Sequence, residues 1–429
     1  MKNGLMMRSL LFAVTLAVAT LPAVSAVPAC RFDAVAAGSG KIGQWIDKSN
    51  WLAVENQRVS LQAATVFMPA QRLRPAAGSP TLRAAARPLD VDRIEVTDPL
   101  DGGKRDLAFL LDSRLYADGV VVLHSGRIVV ERYRNGLRAG EPRLLLQATR
   151  PLLSLLGAIG ISQGKLAGER SVARAIPALN SSPGLRKLSI QRLLLDQERH
   201  AWPAEELDRW RQAAGWGSSP TPAGIRAWLA EPGRWDKPLV DHQATAFAGS
   251  PDDDLLAWVL AESNATPLAR LFCEQMLTRA RPEHPVLWLT DARGVELADG
   301  LGLSLRDFAR LGQLLLDARA SPGRTRIPGW FIETLTASSG SRSTEVRGLA
   351  RGSEQRYGFT HIGGRSNRVA LIGSHGSSLY VDFDRRLVIA LYASYPQTDT
   401  PALRASLEQF WRTLDQAVTQ PRKRRAKAD

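Results

Sequence analysis

Cysteine is nearly absent: the 429 residues contain two, Cys30 and Cys273. The six histidines are scattered, and no Cys/His cluster has the spacing of metal ligands. Neither a metal nor another cofactor is therefore expected. After the N-terminus no apolar run approaches the roughly 20 residues that cross a bilayer, which excludes a bundle of spanning helices. Acidic residues are in deficit, 42 Asp and Glu against 56 Lys and Arg, leaving a formal charge of +14.

The N-terminus has a different character. Lys2 and Arg8 form a positive region, Leu10 to Val24 is a short apolar stretch, and Val24-Ser25-Ala26 resembles a signal-peptidase site. We read residues 1–26 as a secretory signal peptide and the mature protein as exported and periplasmic. In an oxidising compartment two cysteines can form one disulfide. The Val27-Pro28-Ala29-Cys30 stretch also loosely resembles a lipobox, so Cys30 has three open fates: disulfide, lipid anchor or free thiol. Part of the positive charge lies in a basic tail, residues 421–427, read as a solvated segment or as a second membrane tether. Export argues against a nucleic-acid partner. Composition does not address the oligomeric state.

The remaining chain divides by pattern. Residues 27–100 are a poorly patterned extension with an Ala/Pro/Arg-rich stretch at 76–88. Two β-branched runs, Gly119–His124 and Arg127–Tyr133, flank Ser125-Gly126 and predict a hairpin. An apolar helix is expected over 151–163, with Pro151 in its first turn and Gly164 at its end. Residues 165–345 look mostly helical, with clear helical spacing over 252–262 and 305–316. Three β-runs follow, Arg368–Ile372, Ser378–Asp382 and Leu387–Tyr392, then a helix with Leu403, Leu407, Phe410, Trp411 and Leu414 on one face. Strands, a helical insertion, strands and a closing helix form an α+β pattern. The expected domain covers 101–416, with a sheet lobe (101–146 and 350–416), a helical lobe (147–349) and a tail at 417–429.

Four stretches resemble the serine β-lactamase and penicillin-binding-protein superfamily, in its class C-like branch related to 6-aminohexanoate-dimer hydrolase and family VIII esterases. They are Val121–Tyr133, Ser154–Leu166, Leu289–Gly300 leading into Arg306–Leu316, and Gly373–Asp382. They occur in the family's order and span residues 105–416. The resemblance implies a β-lactamase/transpeptidase-like fold, an antiparallel sheet flanked by helices plus an all-helical lobe, with the pocket between them. It also implies three sites: Ser-x-x-Lys at the start of the central helix, a Tyr from the helical lobe, and a Lys-, His- or Trp-led triplet on a strand.

The first site falls on Gln147 and Arg150. Glutamine has no nucleophilic oxygen, and the arginine guanidinium has no acceptor atom and a pKa above about 12. The second falls on Ala248 and Gly249, and no tyrosine occurs between residues 134 and 356 to replace the missing one. The third survives as His375-Gly376-Ser377. The one Ser-x-x-Lys in this region, Ser162–Lys165, lies at the wrong end of the helix, away from its positive dipole. With nucleophile, base and tyrosine all replaced, efficient acyl transfer by the family mechanism is not expected; in another serine hydrolase, losing a triad member costs about six orders of magnitude in turnover.

Two readings of Gln147 and Arg150 remain. Arg150 is either paired to a nearby carboxylate in an inactive pocket, or joins Gln147 in a donor-rich floor for an anionic ligand. Ser250, Ser374, His375 and Ser377 complete the candidate binding residues, with Ser374 beside His375 the best displaced nucleophile–base pair. On a strand, those two neighbours would point to opposite faces. Thr149 is placed on another helix face and Ser154 in the core. The expected function is binding of a small amide, carboxylate or peptidoglycan-derived ligand without turnover. The alternatives are a hydrolase with a displaced nucleophile and an envelope protein that binds a partner.

Overall fold

The computed structural model describes residues 30–76, 78–241, 249–337, 346–364, 367–398 and 400–419. Residues 1–26, read as a signal peptide, Ala248 and the basic tail lie outside them. The larger sheet is built around the expected hairpin, β3 (Ala117–His124) and β4 (Arg127–Tyr133). Its turn residues, Ser125 and Gly126, both have positive φ, the combination that lets a two-residue turn follow strand twist. The C-terminal strands β8 (Glu354–Arg356), β9 (Phe359–His361), β10 (Arg368–Ile372), β11 (Ser378–Asp382) and β12 (Leu387–Ala393) complete an antiparallel sheet in the order β8-β9-β10-β11-β12-β3-β4.

Alternation along β12 explains why this sheet is covered twice. Leu387, Ile389 and Leu391 pack in one core with Leu403, Leu407 and Phe410 of the closing helix α5 (Pro401–Thr419). Val388, Ala390 and Tyr392 pack in the other with Phe308, Leu311 and Leu315 of helix α4 (Leu305–Ala320). A strand buried on both faces reads as a continuous apolar run, as this one does.

A second sheet departs from the sequence expectation. Strands β6 (Val286–Thr290) and β7 (Glu296–Leu303) lie inside the region read as helical. They join β1 (Phe32–Val35) and β2 (Ala70–Leu73), from the supposed extension, and the short β5 (Arg143–Leu144), in the order β1-β2-β6-β7-β5. Within the 27–100 segment the described residues, 30–76 and 78–100, are thus part of the fold, and the 147–349 lobe is not all helical. β1 and β2 are four residues each and Asp33 and Ala34 of β1 are exposed, so local patterning was too weak to reveal them. Trp51 from the same segment is buried, stacks on Phe67 and Trp216, and donates from its indole nitrogen to the Trp216 carbonyl at 3.1 Å.

A Cys30–Cys273 disulfide closes 243 residues of chain and pins the start of β1 beside the helical region. Among the described residues no helix is long and apolar enough to cross a membrane. Closing so long a loop restricts the unfolded chain strongly. Cys30→Ser should therefore lower unfolding free energy by about 2–5 kcal/mol in a denaturant melt, and reduction of the wild type should reproduce the loss.

Candidate active site

Sheet register places the centre of the site. β5 is antiparallel to β7 with Leu144 opposite Gly302, and Leu145 donates to the Leu301 carbonyl at 2.9 Å. Just past this pairing the chain turns out of the strand and brings Gln147 against Asp299 of β7. Gln147 Nε2 donates to Asp299 Oδ2 at 3.1 Å. Leu146 turns the chain with φ of +49°, a left-handed conformation rare for a bulky residue, and starts the 3-10 turn Leu146–Thr149 that leads into the central helix α1 (Arg150–Ser162). From the other sheet, the turn Ser374–Gly376 between β10 and β11 closes on this point. Ser374 Oγ donates to Gln147 Oε1. Gly373 lets the turn approach: a Cβ there would lie 2.9 Å from that of Ala148.

These residues floor a cleft of about 260 Å3. Its walls are Leu52 and Gln57 from the N-terminal segment, Leu146, Trp210 and Arg211 of helix α2 (Ala204–Ala214), Trp216, Gly249 and Thr398. Gln147, Asp299, Ser374 and His375 complete it. Gly249 has no room for a side chain, because a Cβ would meet Asp299 Oδ2 at 2.2 Å. His375 has φ of +58° and lies in a turn rather than on a strand, so Ser374 and His375 both line the cleft instead of facing opposite ways. His375 Nδ1 lies 2.7 Å from the Tyr395 carbonyl, which fixes the proton on Nδ1 and leaves Nε2 as the acceptor. Burial, helped by the nearby Arg143 charge, holds its pKa below the ordinary histidine value.

Arg150 does not join this floor. It is 3% exposed and turned into the protein, where Nε pairs with Asp253 at 2.9 Å and one terminal nitrogen donates to the Leu193 carbonyl at 2.6 Å. It also pairs with Asp196 at 3.5 Å and donates to Ser154. Arg199 bridges the same two carboxylates, at 3.0 Å to Asp196 and 3.1 Å to Asp253. The donor-rich floor is therefore corrected: Gln147 is there and Arg150 is a framework cation.

Ser250 is likewise structural, because it is the N-cap of helix α3 (Pro251–Ser263) in a capping box with Asp253, its hydroxyl donating to Asp252 Oδ2 at 2.9 Å. Ser377 accepts from Arg143 at 3.3 Å behind the cleft. Gly376 packs a Leu403 methyl on the far side, where a Cβ would lie 3.1 Å from it. Thr149 and Ser154 are buried away from the cleft. Of the six binding candidates, the structure brings together Gln147, Ser374 and His375.

Asp299 was missed. Its signal was an acidic residue inside an otherwise apolar run, Leu297–Leu303, and that run had not been read as a strand. Burial raises its pKa well above the carboxylate range, and the Asp253 and Asp254 carboxylates push the same way; Arg199 and the Gln147 hydrogen bond oppose them. Asp254 behind it accepts from the Ala298 amide and the Trp210 indole, both at 2.8 Å, yet burial still pushes it up to about 7.

No protein-family model matches this sequence. It is 24% identical over 295 residues to the 6-aminohexanoate-dimer hydrolase of Paenarthrobacter ureafaciens, covering 66% of this chain and 74% of that one. The structure described as "Putative 6-aminohexanoate-dimer hydrolase from Bacillus anthracis" superposes with a TM-score of 0.72 at 20% identity, covering 88% of this chain and 98% of that chain. EstCE1, a hydrolase with promiscuous acyltransferase activity, gives 0.51 at 16% identity, over 71% of this chain and 96% of that chain. The fold is β-lactamase/transpeptidase-like, as the resemblance implied.

Two outcomes follow from the site. Arg150→Ala leaves two buried carboxylates undercompensated, so it should cost about 3–5 kcal/mol of stability in a denaturant melt. An unchanged melt would remove Arg150 from the framework. For Asp254, the native pKa of about 7 stands above the ordinary 3.8, so the native state keeps a proton that the unfolded chain has released. That group's contribution to stability is present below about pH 4 and is lost as pH rises toward 7. Its carboxyl carbon resonance should titrate with a midpoint near 7, against a midpoint near 4 for an unperturbed side chain.

Proposed function

From its place in the serine β-lactamase and penicillin-binding-protein superfamily, near 6-aminohexanoate-dimer hydrolase and the family VIII esterases, we propose that this chain is an exported homologue that binds an amide-bearing ligand in the cleft without forming an acyl-enzyme. The observation that carries this reading is the position of Gln147. Its carboxamide occupies the floor where a nucleophile and its base would have to meet, hydrogen-bonded on one side to Ser374 and on the other to Asp299. Arg150, which follows it by one turn, is spent on Asp253 and Asp196. The cleft retains what binding requires: two tryptophans and two leucines for apolar contact, and donors and acceptors on the floor. A peptidoglycan-derived peptide or a free linear amide meets the same description.

Export is supported by the charge and apolar pattern of residues 1–26 and by the disulfide, which needs an oxidising compartment to persist. Since Cys30 spends its sulfur on Cys273, the basic tail is the segment we propose for contact with the anionic envelope.

A hydrolase with a displaced nucleophile is the second reading. Two observations favour it: the named relatives are hydrolases, and His375 offers a neutral Nε2 in the same cleft as the Ser374 hydroxyl. Intact-mass spectrometry after incubation with a fluorophosphonate and with a penicillin separates the two. We expect no adduct on folded protein. A stoichiometric adduct mapping to Ser374 would establish the hydrolase instead.

A further inference from the structure

Gln147 is bound as a ligand amide would be. Its carbonyl accepts from the Ser374 hydroxyl, and its N–H donates to Asp299 Oδ2 at 3.1 Å. The space for this contact is built: Gly249 supplies no side chain where a Cβ would stand 2.2 Å from Asp299 Oδ2 and 3.2 Å from Gln147 Nε2. Asp299 is 6% exposed, and its other oxygen, Oδ1, has no hydrogen-bond partner among the described residues. At the cleft floor, a buried carboxyl with one oxygen committed to a side-chain amide and the other unpaired calls for an explanation.

We propose that the Gln147 carboxamide is an internal occupant of this cleft's amide subsite, and that the external ligand is a primary or secondary amide which displaces it. The proposal rests on the amide-binding reading above and narrows it. The ligand carbonyl takes the Ser374 hydroxyl and its N–H takes Asp299 Oδ2. Esters and tertiary amides, including the lactam nitrogen of a penicillin nucleus, have no N–H for Asp299 and leave a buried acceptor unpaired, which costs affinity. The internal amide also lowers apparent affinity, since the site is competent only in the fraction of molecules in which Gln147 has swung out.

Truncation tests this directly. Gln147→Ala removes the CH2–CONH2 group, and acetamide is the missing fragment. Gln147→Ser is made in parallel, so that one folded variant with the carboxamide removed is in hand. Gln147→Leu, which keeps the volume and loses the amide, is the filled control. Binding is read by ligand-observed NMR and by thermal shift. Acetamide should bind the Ala and Ser variants at least about tenfold more tightly than the wild type or the Leu variant, a difference of one decade in Kd. N,N-dimethylacetamide and methyl acetate should show no such gain, and Asp299→Ala in the Gln147→Ala background should abolish it. Equal affinity in wild type and truncated variants, or equal binding of acetamide and dimethylacetamide, would overturn the proposal. N-acetyl-6-aminohexanoate with the wild type serves as the probe of the wider reading. If it binds while truncation brings no gain for acetamide, only the placeholder role fails; if neither binds, the amide-binding reading fails with it.

Discussion

The cleft depends on a buried ion-pair network beneath it. Arg150 opens the central helix α1, Asp253 opens helix α3, and Asp196 and Arg199 come from the segment between them. Two guanidiniums and two carboxylates, all within 7% exposure, are held in one cluster. Charges so removed from water persist only when each is paired and hydrogen-bonded, so the network constrains both helix starts at once. Gln147 sits one turn before Arg150, and Asp299 lies against the acidic start of α3. The geometry of the floor is therefore set by a structural cluster that does not line the cleft.

The same cluster sets the electrostatics of the cleft. Asp253 and Asp254 stand behind Asp299, and their proximity adds to its burial in disfavouring a charge there. Arg199 is the cation that opposes this, and Asp196 and Asp253 already hold it. The cleft floor is formed by a hydroxyl, a carboxamide, a carboxyl whose charged form burial disfavours and an imidazole whose charged form burial disfavours. Such a floor favours neutral hydrogen-bonding groups. Arg211 at the rim supplies a cation, and it is shared with Asp208 at 2.7 Å. The apolar walls come from three separate parts of the chain, which explains why the N-terminal segment belongs to the site: Leu52 and Gln57 stand there because Trp51 is locked between Phe67 and Trp216.

Much of the scaffold was legible in the sequence. The hairpin at 117–133, the three strands from 368 onward and the helices over 150–162, 251–263, 305–320 and 401–419 are strongly periodic or bounded by Gly, Pro and capping residues. Residue identity alone decides that Gln147 is no nucleophile and Arg150 no base. The second sheet was not legible, since its N-terminal strands are short and half-exposed, and their partners at 286–303 lie more than 200 residues away.

What the sequence determined by itself was therefore local: the periodic elements, the two cysteines available to pair, and side chains at 147 and 150 that offer neither a nucleophilic oxygen nor a base. Tertiary structure decided which polar residues share a space. Arg150 and Gln147 are three residues apart, yet the helix turn between them sends one into a buried ion-pair network and the other into the cleft. Asp299 and Gln147 are 152 residues apart and meet because β5 and β7 pair in one register. Ser374 and His375 share the cleft because the chain turns there rather than running on as a strand. Such outcomes depend on non-local backbone pairing and on which charges the fold can bury together, and neither is encoded in the spacing of residues along the chain.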